Sequence, residues 1–200
     1  MPKETFRNLP EEKKQTLIGA LQKEFSRVPL YQASVSNIIK TAKIPRGSFY
    51  QYFEDIEDAY FYLLNRLLYQ VRERFLFMLE ENNGDLFSAM LAFFQEITKE
   101  DDNFQFFRNS LLNMNHKIEK SMSGVFANEQ SMEQFERVQS KIDKSKLNIE
   151  EDNDLLHVMR IVSAVTFHNL IDQFSKGLSN EEAINNYTKQ LNMLKTGLVK

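Results

Sequence analysis

The chain has 200 residues, 26% of them charged, and a formal net charge of -3 at neutral pH. It has no cysteine, which excludes a disulfide framework and any thiolate metal site. No apolar run approaches a membrane span, and the opening MPKETFRNLPEEKKQ lacks the hydrophobic stretch of a signal peptide. A cytoplasmic protein with no membrane contact is therefore expected.

Phe, Leu, Ile and Met recur at spacings of three and four, proline is absent after Pro45, and extended alternation is missing. That pattern predicts an all-α chain. The first helix is expected over Pro10–Arg27, with Leu17, Ala20, Leu21 and Phe25 on one face and Pro29 closing it. Ser34 suits the N-cap of a short helix ending near Lys40 or Thr41, packed down by Val35, Ile38 and Ile39. Pro45 opens the next short helix, whose buried face carries Phe49 and Phe53. The acidic run Glu54–Asp58 suits the start of a long helix over about 56–80, striped by Ala59, Leu63, Leu67, Val71 and Phe75 or Met78. A turn at Asn82–Asp85, a helix over Leu86–Thr98, a break at Glu100–Asn103 and a helix over Phe104–Asn109 follow. One helix is expected somewhere in Asn113–Ser140, and a polar connection over Asp143–Asp154. The last two helices are expected over Leu155–Phe174 and Glu181–Leu194, separated near Gly177.

Charge is distributed unevenly along this helical chain. Residues 1–53 hold nine Lys/Arg against four Asp/Glu, a balance of +5; residues 54–200 hold sixteen against twenty-four, a balance of -8. Nucleic acid responds to local positive potential, so the first segment can attract phosphate although the whole chain is acidic. Within it, Ser34–Phe53 reads as a helix, a tight turn and a second helix, the arrangement that places its second helix in a major groove. Arg46 can donate two parallel hydrogen bonds to a base edge or phosphate. Ser48 reaches at short range and Gln51 presents an amide. Tyr50 and Tyr52 can donate hydroxyls to phosphates, and Gly47 lets backbone and DNA approach. Ser34, Ser36, Lys40 and Lys43 complete the candidate surface. Any surface helix also carries Arg, Ser and Gln, so the same residues are compatible with a plain solvated face.

These residues resemble the TetR family of bacterial transcriptional repressors. The resemblance is carried by Phe25, by Ser34-Val35 with Ile38-Ile39, and by Ile44-Pro45-Arg46-Gly47-Ser48-Phe49-Tyr50-Gln51-Tyr52-Phe53; Asp58, Tyr60 and Leu63-Leu64 echo the opening of the family's fourth helix. It covers roughly residues 10–64. It implies a three-helix DNA-binding domain with a helix-turn-helix over 1–54. A helical effector-binding and dimerisation domain over 55–200 follows from the same resemblance. The implied partners are a near-palindromic DNA operator, a second copy of the chain and a small effector that releases DNA. Two departures stand out. Lys43 occupies the turn where the family commonly has glycine, and Glu54-Asp55-Ile56-Glu57-Asp58 lacks the lysine many members use to hold phosphate.

The remaining two-thirds are rich in aromatics, with seventeen phenylalanines and seven tyrosines in the whole chain. Such rings can wall an apolar pocket or simply fill a core. Phe93, Phe107 and Phe126 are the candidate walls for a mainly apolar effector, with His168 and Asn169 as polar contacts. A haem or other planar ligand reached by a histidine stays open. No cofactor is assigned, and no His pair has metal-ligand spacing. Leu155, Met159, Val162 and Phe174, with Ile184, Tyr187, Leu191 and Leu194, form two stripes that suit either a dimer interface or burial within one subunit. No phosphate loop, nucleophile elbow or zinc signature is present, so no enzymatic activity is expected. The rival reading is a helical scaffold or small-molecule-binding protein without sequence-specific DNA binding.

Overall fold

The computed structural model describes residues 2–100, 103–123, 132–151 and 153–198. Its order is α1 (Glu4–Arg7), α2 (Glu11–Arg27), α3 (Val35–Ala42), α4 (Arg46–Tyr52), α5 (Ile56–Glu81), α6 (Leu86–Ile97), α7 (Phe104–Leu112), α8 (His116–Ser123), α9 (Met132–Gln139), α10 (Asp154–Lys176) and α11 (Asn180–Leu198). The fold is all-α, with a helix-turn-helix bundle at the N-terminal end. No helix among the described residues is long and apolar enough to cross a membrane.

The chain divides into two compact units, Met1–Leu67 with Glu100–Met114, and Leu68–Lys99 with Asn115–Lys200. This packing division differs from a cut at residue 54, because α7 and the first part of α5 belong with the N-terminal helices. The core of the first unit holds Leu17, Leu21, Phe25, Ile38, Phe49, Phe53, Leu64 and Phe106, all buried. Each contributes about 1.5–3 kcal/mol of burial. Asn109 on α7 donates its side-chain amide to the carbonyls of Phe25 and Ser26 at 3.1 and 2.9 Å, which satisfies the last turn of α2. Tyr60 donates to Ser110 at 2.8 Å inside the same core, and Ser110 donates to the Phe106 carbonyl.

The second unit buries Phe75 against Phe93, edge to face at 5.5 Å, and stacks Phe94 on Tyr187 at 4.2 Å. The turn after α5 is closed by Asn83 and Gly84, both left-handed. A Cβ at Gly84 would stand 2.7 Å from the Asp143 nitrogen and 2.8 Å from the Lys141 carbonyl, so only glycine fits.

Several expectations need correction. The N-terminal segment holds a short helix, α1, whose Phe6 is buried. Among the described residues of Asn113–Ser140, α8 covers His116–Ser123 and α9 covers Met132–Gln139. On α5 the stripe ends on buried Phe75, Leu76 and Leu79, while Val71 and Met78 are half-buried. The inward face drifts because the helical period is not an integer.

Candidate nucleic-acid interface

The start of α3 is fixed from two sides. Ser34 caps it, its hydroxyl accepting from the Ser36 N–H at 3.2 Å. Glu24, only 4% exposed, reaches up from α2. Its carboxylate accepts from the Ser34 N–H at 2.8 Å, from Asn37 Nδ2 at 3.1 Å and from Arg27 at 2.8 Å. Burial alone would raise the Glu24 carboxyl; the bonds from Arg27, Ser34 and Asn37 outweigh it and hold the group below the usual range. Sequence patterning missed this residue, although an acid on the apolar stripe beside Leu21 and Phe25 was the available signal.

The turn into α4 passes through Lys43, which is left-handed at φ 54° and ψ 44°. Its N–H and that of Ile44 both return to the Ile39 carbonyl. The lysine thus occupies the conformation that glycine adopts freely. Pro45 then sets the entry to α4 with φ -61°.

On the outer face of the two helices, Arg46 Nη1 lies 3.5 Å from Ser36 Oγ and Nη2 lies 3.4 Å from Tyr50 Oη. Ser36, Lys40, Lys43, Arg46, Gly47, Tyr50 and Gln51 are exposed; Ser34, Ser48 and Tyr52 are half-buried. The ten candidate residues therefore share one two-helix element, with an arginine, two lysines and a phenol open to solvent. Among the described residues, a Cβ added at Gly47 meets nothing within 4 Å, so none of them requires glycine there.

The acidic run before α5 caps that helix. Asp55 accepts from the Asp58 N–H at 2.7 Å, and Asp58 accepts from the Glu54 N–H at 3.2 Å. Asp55 thus satisfies an orphan donor of the first turn and Asp58 ties down the chain that enters it, which accounts for carboxylates at a place where a phosphate-holding lysine was absent.

Three of the candidate effector residues, Phe93, His168 and Asn169, lie in the second unit. Phe93 is fully buried against Phe75. His168 is exposed and stands 3.7 Å from Asp172 at the surface. Asn169 spends its amide on the Val165 carbonyl and Gln190 Oε1, both at 2.8 Å. Phe107 belongs to the first unit, and Phe126 lies outside the described residues. Concavities lined by Gly19, Gln22 and Ser26, and by Pro2, Phe61 and Tyr62, involve none of them. Among the described residues no group of three or more His, Asp or Glu is placed to hold a metal.

The eight candidate interface residues are mostly core. Leu155, Met159, Val162, Phe174, Tyr187 and Leu191 are buried within the single chain; only Ile184 and Leu194 keep some exposure. Tyr187 meets Thr166 at 2.7 Å, and burial pushes its phenol up. The two stripes pack on each other because α10 and α11 form an antiparallel pair inside one subunit.

A family model described as Tetracyclin repressor-like, C-terminal domain, matches residues 85–198. The chain belongs to the tetracycline-repressor-like family. Solved structures of TetR-like fold agree along its length. A TetR family transcriptional regulator from Chloroflexus aurantiacus is 24% identical with a TM-score of 0.54, covering 100% of this chain and 99% of its own. NalD of Pseudomonas aeruginosa, the secondary repressor of the MexAB-OprM multidrug efflux pump, is 14% identical with a TM-score of 0.65, covering 95% and 98%. Reduced NemR of E. coli is 14% identical with a TM-score of 0.63, covering 90% and 95%. At these identities the likeness is one of fold. No curated protein sequence matches the chain. For this tetracycline-repressor-like chain, the helix-turn-helix element was legible from residue types, whereas the contacts that α1, α2 and α7 make around it were not.

Proposed function

We propose that the chain is a ligand-responsive transcriptional regulator, a repressor, that binds a near-palindromic DNA operator as a homodimer. The exposed cluster Ser36–Arg46–Tyr50, flanked by Lys40 and Lys43 on a helix-turn-helix, carries the reading. Arg46 and Gln51 read base edges; Lys40, Lys43, Tyr50 and Tyr52 hold phosphates; Ser34, Ser36 and Ser48 add short hydrogen bonds; Gly47 admits the duplex closely. One short helix reads few base pairs, and two-fold symmetry doubles the contacts.

Functionally, residues 1–54 act as the DNA-binding domain and 55–200 as the effector and dimerisation domain. The dimer face lies on the outward side of α10, where exposed Ile161, Ala164 and His168 alternate with half-buried Val165 at helical spacing; Ile184 and Leu194 of α11 contribute their exposed edges. The effector is a mainly apolar small molecule, a choice favoured by the aromatic second unit around Phe93. Asn169 offers only its remaining carbonyl acceptor, and exposed His168 fits the dimer face better than a ligand wall. α5 supplies residues to both units, so it is the element through which effector binding reaches α4. Two recognition helices must meet successive grooves about 34–36 Å apart, so a small change in their separation releases one half-site. The effector must prefer the non-binding state.

Selection of duplexes from a random pool, followed by anisotropy titration, tests the reading. A two-fold symmetric site bound far above random DNA is expected. Equal affinity for selected and random duplexes overturns it and leaves the helical scaffold.

A further inference from the structure

α4 is only seven residues long. A helix that short does not hold itself in water, and its last four carbonyls have no partner within the helix. Each of the four is satisfied. The Phe49 carbonyl accepts from the Phe53 N–H at 2.9 Å. The Tyr50 carbonyl accepts from Lys3 Nζ at 3.0 Å, and the Tyr52 carbonyl from the Lys3 N–H at 2.8 Å. The Gln51 carbonyl accepts from the Thr5 hydroxyl. Three of the four partners come from α1 and the residue before it.

That segment is itself anchored. Phe6 is 2% exposed, with its ring 5.1 Å from Phe53 and 5.0 Å from Tyr62. The Lys3 ammonium also lies 3.6 Å from Glu54. A cation at the C-terminal end of α4 meets the negative end of the helix dipole. Lys3 is therefore committed to the helix end and to Glu54.

We propose that Lys3 and Thr5 are positioning residues for DNA recognition: the N-terminal segment clamps the C-terminal end of α4 and holds its outer face in register. This rests on the DNA-binding reading above. The clamp acts before DNA arrives. It lowers the ordering cost of α4 at binding, and so it favours the cognate site, where side-chain register matters, over random duplex.

The test uses the full chain with Thr5→Val, which removes the hydroxyl at constant size and charge, Lys3→Ala, and Thr5→Ser as the variant that keeps the donor. Hydrogen exchange is followed in the absence of DNA, and affinity is measured for a selected operator and for random duplex across a salt series. Loss of one such bond corresponds to about fivefold faster opening of α4. In Thr5→Val, α4 amides are expected to exchange about fivefold faster while α2 amides are unchanged. Operator affinity falls by a similar factor, random affinity and the salt slope hold, and Thr5→Ser restores both. Unchanged α4 exchange in Thr5→Val and Lys3→Ala overturns the clamp. An equal loss on operator and random DNA with a reduced salt slope also overturns it, because the segment would then be a phosphate contact. Wild-type protein that discriminates no duplex sinks the DNA reading and the clamp with it. Wild-type discrimination matched by Thr5→Val sinks the clamp alone.

Discussion

Arg46 and Tyr50 stand one helical turn apart, with the guanidinium carbon 5.8 Å from the phenol centroid and Nη2 3.4 Å from its oxygen. The ring steadies a long side chain whose donors still face solvent, which lowers the entropy lost when it meets a base or phosphate. Arg46→Ala is expected to cost about 1–3 kcal/mol at the cognate site. Its effect on folding should stay within about 0.5 kcal/mol, since the residue is exposed. Tyr50→Phe keeps the ring and should lose less. Arg46→Lys should not restore affinity, because an ammonium cannot form the paired bonds. Parallel anisotropy and thermal melts decide; an Arg46→Ala variant with full operator affinity removes the residue from the interface.

Gly47 gives a sharper separation of folding from binding. Glycine inside a helix costs about 1 kcal/mol relative to alanine, and a Cβ at Gly47 would meet no other element among the described residues. Gly47→Ala should therefore stabilise the protein by about 0.5–1 kcal/mol. If a duplex lies against that face, the same change should weaken operator binding. A stabilised variant with unchanged affinity would place the DNA elsewhere.

Lys43 couples strain and charge at one position. Its left-handed backbone costs a non-glycine residue about 1 kcal/mol. Lys43→Gly is expected to raise the thermal midpoint, whereas Lys43→Ala is not. Both remove one cation, so both should reduce the slope of log affinity against log salt by about one if Lys43 holds a phosphate. Lys40→Ala should do the same without a stability gain. An unchanged slope in all three variants takes these lysines off the phosphate path.

The helices with strong apolar periodicity, α2, α5, α6, α10 and α11, were legible in the sequence because burial imposes the spacing that pattern reading detects. Ser34 and Lys43 were legible because capping and left-handed turns have residue-level chemistry. α1 was not, since four residues around Phe6 offer no period. The stripes of α10 and α11 left two readings open for a physical reason. A stripe specifies that a face is buried, and the same stripe serves a partner subunit or a neighbouring helix equally well. His168 shows the same limit: a polar residue in an apolar helix lies on the inner or the outer face, and only packing separates the two.

Glu24 makes the junction of α2 and α3 sensitive to acid. Its folded pKa lies below the ordinary carboxylate value. The stabilisation is therefore complete above the unfolded range and is lost as pH falls through the depressed folded value. Exchange protection in α3 should weaken on acidification below about pH 4.3. Glu24→Gln should cost about 1–3 kcal/mol at neutral pH, since it removes the charge from bonds to Arg27, Ser34 and Asn37. Its acid limb should be flatter than that of the wild type. Identical acid limbs would show that other carboxylates govern the transition.

The dimer face separates most clearly through paired substitutions. Met159 and Leu191 are buried at 0% and 3% exposure. Aspartate at either should destabilise the fold by several kcal/mol, giving poorly folded protein rather than clean monomers. Ile161 is 43% exposed on the opposite side of α10. Ile161→Glu should leave the fold intact, because its side chain reaches solvent in the single chain. In a two-fold interface the substitution appears twice, and two glutamates brought together on an apolar contact repel and lose solvation. Sedimentation should then show folded monomers, and operator affinity should fall because a single helix-turn-helix binds one half-site. A folded Ile161→Glu protein that remains dimeric moves the interface off this face of α10. A Met159→Asp protein that is folded and monomeric would return it to the inner stripe.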